Sequence, residues 1–214
     1  SNNCTYPFEY TLTEDLAQGD SIMIKDIISS TLLIATEGKI VMTRDALKFN
    51  KKIDWWTIAT FTGIPNALAI SADGDVAYIG TVKGNLYRLS GISDAVTKDL
   101  ATVDTVSVIT KVEIDPATFN SQAITSIAID PQDANKVVVT LGNYGNEDYV
   151  FYATDGATFT SVQNNLPKVP AYSSLIESTT GLVMIGTENG MYTSEDMKTW
   201  TADKTVANVP VMDI

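Results

Sequence analysis

The sequence predicts an all-β chain: a β-propeller made of four-stranded antiparallel blades, about four of them, with partial blades at both ends of a larger ring. Three observations predict it. One hairpin sentence is written repeatedly, as LLIATEGKIVMTRD at 32–45, VAYIGTVKGNLYRLS at 76–90, LVMIGTENGMYTSED at 182–196, and with a longer turn as VVVTLGNYGNEDYVFYATD at 137–155. The common Thr step recurs at Thr36, Thr81 and Thr187. That is one unit and then two more, each of roughly 45–53 residues, the period of propeller blades. A short apolar strand also precedes each hairpin: IKDIIS (24–29), ALAIS (67–71), SIAID (126–130) and SLIES (174–178).

In chain order, residues 1–20 hold a strand over Tyr6 to Leu12 and an acidic turn, the end of a preceding or shared blade. Blades follow at 21–62, 63–120, 121–166 and 167–206; the second is longest and has room for an extra strand at Ser107 to Ile114. Between the first two strands of each unit stand SADGD (71–75), DPQDANK (130–136) and STTG (178–181). Gly, Asn and Asp accept positive φ or cap their own backbone, so these read as turns. Val137 to Val139 is apolar on consecutive positions, as expected of a strand covered on both faces. The last hairpin reads as a strand from Leu182 to Ile185, a turn from Gly186 to Gly190, a strand from Met191, and an acidic turn closed by Trp200. Residues 207–214 repeat the apolar-Pro opening of 64–70 and 169–176 and read as the first strand of a further blade. An open propeller exposes apolar faces and unpaired edges. Remaining blades or another chain are therefore expected to complete the ring; a small ring closed by pairing the two ends is the alternative.

The turn after the hairpin carries the most specific pattern. Thr43-Arg44-Asp45-Ala46-Leu47-Lys48-Phe49, Ala153-Thr154-Asp155-Gly156-Ala157-Thr158-Phe159 and Ser194-Glu195-Asp196-Met197-Lys198-Thr199-Trp200 each place an aromatic four residues after an Asp. These segments resemble the Asp-box (BNR-repeat) propellers, the group of sialidases, sortilin-type receptors and some endoglucanases. The usual box, Ser-X-Asp-X-Gly-X-Thr-Trp, is one residue longer between Asp and aromatic. Arg88-Leu89-Ser90-Gly91 of the second unit offers no box. The resemblance implies that Asp45, Phe49, Asp155, Phe159, Asp196 and Trp200 are structural: carboxylates that bind their own turn, and aromatics packed beneath it. It also implies an extracytoplasmic, secreted or cell-surface bacterial protein, whose leader would lie ahead of Ser1 because these residues contain no charged-then-apolar segment.

Composition removes several functions. A formal charge of −12 argues against a nucleic-acid partner, whose phosphates require a basic face. No apolar run approaches the roughly 20 residues of a membrane helix. Histidine is absent, which removes the usual neutral-pH base and the commonest transition-metal ligand. Cys4, the single cysteine, has no partner for an internal disulfide; it is a free thiol or, alternatively, a lipid anchor. The resemblance would place three arginines in a sialidase site, but only Arg44 and Arg88 exist, so that triad is not possible here. A glycan hydrolase of the endoglucanase kind needs two facing carboxylates. Asp26, Asp130 and Glu177 are candidates, with solvated or turn-capping roles as the alternative. Asp73-Gly74-Asp75 and Asn143 to Asp148 offer oxygen ligands but lack a calcium-loop pattern and read as turns. No catalytic, cofactor-binding or metal-binding residue is assigned, and no cofactor is expected. Tyr144, Asn146 and Tyr149 of the long third-unit turn mark a contact loop, because aromatics carry much of interface energy; Phe151 and Tyr152 are expected between blades. The reading is a non-catalytic scaffold or binding module for protein or glycan, with a fragment of a glycan hydrolase as the alternative.

Overall fold

The computed structural model describes residues 31–47, 52–102 and 107–214. The strands expected at 6–12 and 24–29, Cys4, Asp26 and Phe49 lie outside them. Four antiparallel sheets follow one another along the chain. The first has β1 (Leu32–Thr36), β2 (Lys39–Thr43) and β3 (Trp56–Thr60). The second has β4 (Pro65–Ile70), β5 (Ala77–Thr81), β6 (Leu86–Ser90) and β7 (Thr110–Ile114). The third has β8 (Ile124–Asp130), β9 (Asp133–Leu141), β10 (Val150–Ala153) and β11 (Thr160–Ser161). The fourth has β12 (Ala171–Ile176), β13 (Val183–Thr187), β14 (Gly190–Ser194) and β15 (Thr201–Ala202).

Each four-stranded sheet is a meander in sequence order. The first strands β4, β8 and β12 lie side by side, so neighbouring sheets meet face to face at their inner strands. The first sheet has three strands among the described residues, and the opening strand expected at 24–29 lies outside them.

The core is the set of seams between sheets. All five residues of β5 are buried. Ala77 and Ile79 join Ile40, Met42 and Ile58 of the first sheet, whereas Tyr78 turns the other way to join Val137, Val139 and Phe119. Alternation along a strand places successive side chains on opposite faces, and here both faces are covered. That accounts for the consecutive apolar runs. Phe151 is buried and Tyr152 packs, partly exposed, against the same hydrophobic cluster.

Two expectations change. The segment from Ser107 is not an extra strand: β7 is the ordinary fourth strand of its sheet, paired with β6 from Leu86↔Ile114 to Ser90↔Thr110. The added length lies between β6 and β7, where a short helix α1 (Lys98–Ala101) and the buried Ile92, Ala95 and Ala101 fill the seam with the first sheet. Second, Gly186 is not in a turn. It pairs with Met191 inside β13, and the turn is only Glu188-Asn189. An added Cβ at Gly186 would stand 2.6 Å from the Val211 carbonyl oxygen, and one at Gly80 would stand 2.7 Å from the Ile124 Cβ. These glycines allow the close approach of Ile124 in the next sheet and of Val211 after the fourth.

Candidate binding face

The chemistry-bearing side chains sort onto the two ends of the sheets. At the end where the innermost strands finish, the carboxylates serve backbone. Asp155 Oδ1 accepts from the N–H groups of Ala157 and Thr158 at 2.9 and 2.7 Å. Asp196 Oδ1 accepts from Lys198 and Thr199 at 2.8 and 2.9 Å and from the Ser194 hydroxyl at 3.2 Å. The residue after each Asp is left-handed, Gly156 at φ 72° and Met197 at φ 59°, so the two turns are one shape. The aromatics pack between sheets. Trp200 is 3% exposed and donates its indole N–H to the Val162 carbonyl at 2.8 Å; Phe159 meets Phe119 with ring centroids 5.3 Å apart. Asp45 donates its own N–H to the Thr43 hydroxyl at 3.1 Å.

The unit without a box solves the same problem differently. Asp75, from the turn between β4 and β5, accepts from Ser93 N–H at 3.1 Å, the Ser93 hydroxyl at 2.6 Å and Gly91 N–H at 3.4 Å. Asp73 accepts from Ser71 and from Asp75 N–H. Asp130 accepts from Gln132 N–H at 2.8 Å, and Glu177 caps Thr179 and Thr180 at 2.9 and 2.6 Å. These candidates for chemistry are thus engaged in turns. A shallow open depression beside Asp196, lined by Leu182, Thr193 and Thr201, has that capping carboxylate for its wall.

These bonds hold Asp155 down to about 2, led by the Thr158 side chain and then the backbone donors, and Glu177 to about 2, led by Thr180. Asp73, Asp75, Asp196 and Asp203 are also lowered, chiefly by hydrogen bonds. A depressed folded-state value stabilises above the unfolded value of roughly 4 and stops doing so as pH falls toward the folded value. The melting temperature is therefore expected to hold near neutral pH and to fall between about pH 4 and pH 2. Combining Asp155→Ala with Glu177→Ala should lower it at pH 7 and flatten the acid limb. Parallel wild-type and variant curves in a pH series of thermal melts would contradict this.

Both arginines are structural. Arg44 donates Nε to the Ala95 carbonyl at 3.0 Å and its terminal nitrogens to Ile92, Ser93 and Thr31, tying the first sheet to the insert of the second. Arg88 donates to the Tyr78 hydroxyl and to Asn135 Oδ1, both at 3.1 Å, tying the second sheet to the third.

The opposite end, where the innermost strands begin, is differently built. The expected contact loop splits into scaffold and surface. Tyr149 is 1% exposed and accepts the Asn146 N–H on its hydroxyl at 3.1 Å, while Asn146 Nδ2 donates to the Gly142 carbonyl at 3.2 Å. Both stiffen the loop from within. Tyr144 alone of the three is held outward, at 69% exposure. Beside it stand two residues that the sequence reading passed over. Tyr172, near the start of β12, donates its hydroxyl to Glu188 Oε2 at 2.5 Å, and Glu188 sits in the β13–β14 turn with its N–H on the Pro170 carbonyl. Tyr172 is pushed up to about 12, first by the bond to Glu188 and then by desolvation. Tyr144 is raised by partial desolvation and then by Glu188. The result is a carboxylate between two phenols, assembled from two sheets. Nearby, Lys168 pairs with Glu147. The only sequence signal for Tyr172 was a polar or aromatic residue at a position that its sister strands fill with Asn66 and Thr125.

No family model matches the sequence, and no curated protein sequence matches it. Solved structures do. The chain is similar to Sqt1 from Chaetomium thermophilum bound to the N-terminus of the ribosomal protein L10 (TM-score 0.57, 18% identity, 86% of this chain and 47% of that one). It is similar to the GH74 enzyme of Niastella koreensis (TM-score 0.51, 19% identity, 80% of this chain and 27% of that one). An ancestral GH74 enzyme gives TM-score 0.51 at 16% identity, over 80% of this chain and 23% of that one. The chain is a β-propeller in fold. It spans less than half the length of each of these neighbours. Among the described residues no helix is long and apolar enough to cross a membrane.

Proposed function

We propose that this chain is the binding part of a propeller scaffold, and that its ligand docks where the innermost strands begin, on Tyr144, Tyr172 and Glu188. The observation that carries the reading is the exposed Tyr144 beside the Tyr172–Glu188 pair. The Asp155, Asp196, Asp75 and Glu177 carboxylates at the other end cap turns. A carboxylate held by two phenol hydroxyls, with the rings beside it, suits a cationic group of a protein partner, through charge and ring together. Sqt1, similar in fold, has been solved bound to the N-terminus of the ribosomal protein L10.

Titration of a lysine- and arginine-rich synthetic peptide, followed by fluorescence anisotropy, tests this. Tyr144→Ala and Glu188→Gln should each weaken binding about tenfold or more, as anchor residues do, and Tyr144→Ala should leave the melting temperature unchanged. Equal affinity in all three proteins would overturn it.

The second reading, a part of a glycan hydrolase, is favoured by the fold likeness to GH74 enzymes. Its measure is cleavage of a soluble β-glucan by the purified chain, and turnover would displace the binding-only reading. We further propose that the chain is related to the Asp-box propellers and works outside the cytoplasm. Support comes from the matched turns of Asp155 and Asp196 with Phe159 and Trp200 beneath them.

A further inference from the structure

The inner strands of the second, third and fourth sheets open with the same irregularity. The pairing of β4 with β5 skips Asn66, that of β8 with β9 skips Thr125, and that of β12 with β13 skips Tyr172. Such a bulge leaves one residue out of the ladder and re-aims its side chain. At the first two positions the freed side chain holds the next sheet. Asn66 Nδ2 donates to the Ile124 carbonyl at 2.8 Å, and the Thr125 hydroxyl donates to the Ala171 carbonyl at 2.6 Å. Tyr172 instead gives its hydroxyl proton to Glu188 Oε2 at 2.5 Å.

The result is a group of acceptors around one fixed carboxylate. The Glu188 N–H donates to the Pro170 carbonyl at 3.0 Å, which holds the residue in place. The Tyr144 hydroxyl donates to the same carboxylate. Each phenol spends its single proton on Glu188 and keeps lone pairs on its oxygen. Tyr172 holds that proton through neutral pH, pushed up to about 12 by the bond to Glu188 and by desolvation. Lys168 nearby pairs with Glu147, and among the described residues no cation pairs with Glu188.

A primary ammonium carries three donors around a tetrahedral nitrogen, whereas a guanidinium is a flat fork that pairs best with both oxygens of one carboxylate. At Glu188 the fork meets an oxygen already taken by Tyr172. The donors of an ammonium can instead be shared among the carboxylate and the two phenol oxygens. Resting on the docking reading of this face, we infer that it selects a primary ammonium group, of a lysine side chain or a chain N-terminus, over a guanidinium, and that Tyr172 sets the preference.

The test titrates two labelled, N-acetylated peptides of equal length and charge, one with lysine and one with arginine as its only cations, and follows fluorescence anisotropy. The wild-type chain should bind the lysine peptide about tenfold more tightly, the worth of one charge-assisted hydrogen bond. Tyr172→Phe keeps the ring and frees Oε2, so the preference should vanish or reverse. Trimethylating the lysines keeps their charge and removes every N–H donor, and it should cancel the preference on the wild-type chain with no substitution needed. A third peptide, with a free N-terminus and no lysine or arginine, separates the two sources: its binding adds the chain N-terminus to the ligands, and its failure restricts them to lysine. Arginine binding as tightly as lysine, a lysine preference kept by folded Tyr172→Phe, or trimethylation without effect would each overturn the inference and leave docking at this face standing. No binding of either acetylated peptide would overturn both.

Discussion

Trp200→Ala is expected to cost about 3–5 kcal/mol of folding stability, the range for deleting a large buried aromatic. The ring is 3% exposed and belongs to the seam between the third and fourth sheets. Its removal opens a cavity there and also takes one of two donors from the Val162 carbonyl, which accepts the indole N–H at 2.8 Å and Asn164 Nδ2 at 3.3 Å. The backbone of Trp200 is pinned separately, with its N–H on Asn165 Oδ1 and its carbonyl receiving Asn165 Nδ2, both at 2.8 Å. Those bonds survive the substitution, so the loss comes from the ring itself. Trp200→Phe should recover most of it, short by about the 0.5–1.5 kcal/mol of one lost hydrogen bond, since Asn164 Nδ2 still donates to the Val162 carbonyl. Urea denaturation measures both variants. A cost below about 1 kcal/mol for the alanine variant, the range of a surface change, would refute the placement of this ring as a staple between sheets.

Phe119→Ala is expected to be as severe, about 3–5 kcal/mol by the same mechanism. Phe119 ends a single 3-10 turn, Pro116–Phe119, that connects the second sheet to the third. Asp115 caps that turn by accepting the Ala117 N–H at 2.8 Å, and Pro116 supplies a fixed φ at its first position. The ring, 0% exposed, meets Phe151 edge-on at 5.4 Å and Phe159 at 5.3 Å. Such pairs add about 0.5–1.5 kcal/mol each beyond area burial. A double-mutant cycle of Phe119→Leu with Phe159→Leu should return a coupling of that order, and additive losses would show that the rings do not cooperate.

Much of the fold was legible because blades are written one after another. The hairpin copies, the turn chemistry of 71–76 and 178–181, and the Asp-to-aromatic spacing at Asp155–Phe159 and Asp196–Trp200 are all local patterns. Local patterns are what a sequence displays. Gly80 and Gly186 show the limit. Both sit inside strands, Gly186 against its expected place in a turn, and the atoms that crowd a side chain there come from residues distant in the chain, Ile124 for Gly80 and Ser173 and Val211 for Gly186. Asp75 shows it too: nothing near Gly91 and Ser93 indicates that their N–H groups are satisfied from the neighbouring turn.

The binding face was the least legible. Tyr144, Asn146 and Tyr149 look alike as polar and aromatic residues of one loop, but one is outward and two are its internal supports. Tyr172 and Glu188 carry no motif, and they matter because the beginning of β12 and the turn after β13 are brought beside the loop of another sheet.

By itself the sequence determined the strands, their meander order, the turns and the repeat, since each depends on residues close in the chain. Only the tertiary structure decided which face of each strand meets which neighbour and where the two arginines are spent. The physical reason is that stacking side by side is fixed by surface fit between sheets, and that fit is set by residue pairs tens of positions apart whose matching leaves no periodic trace.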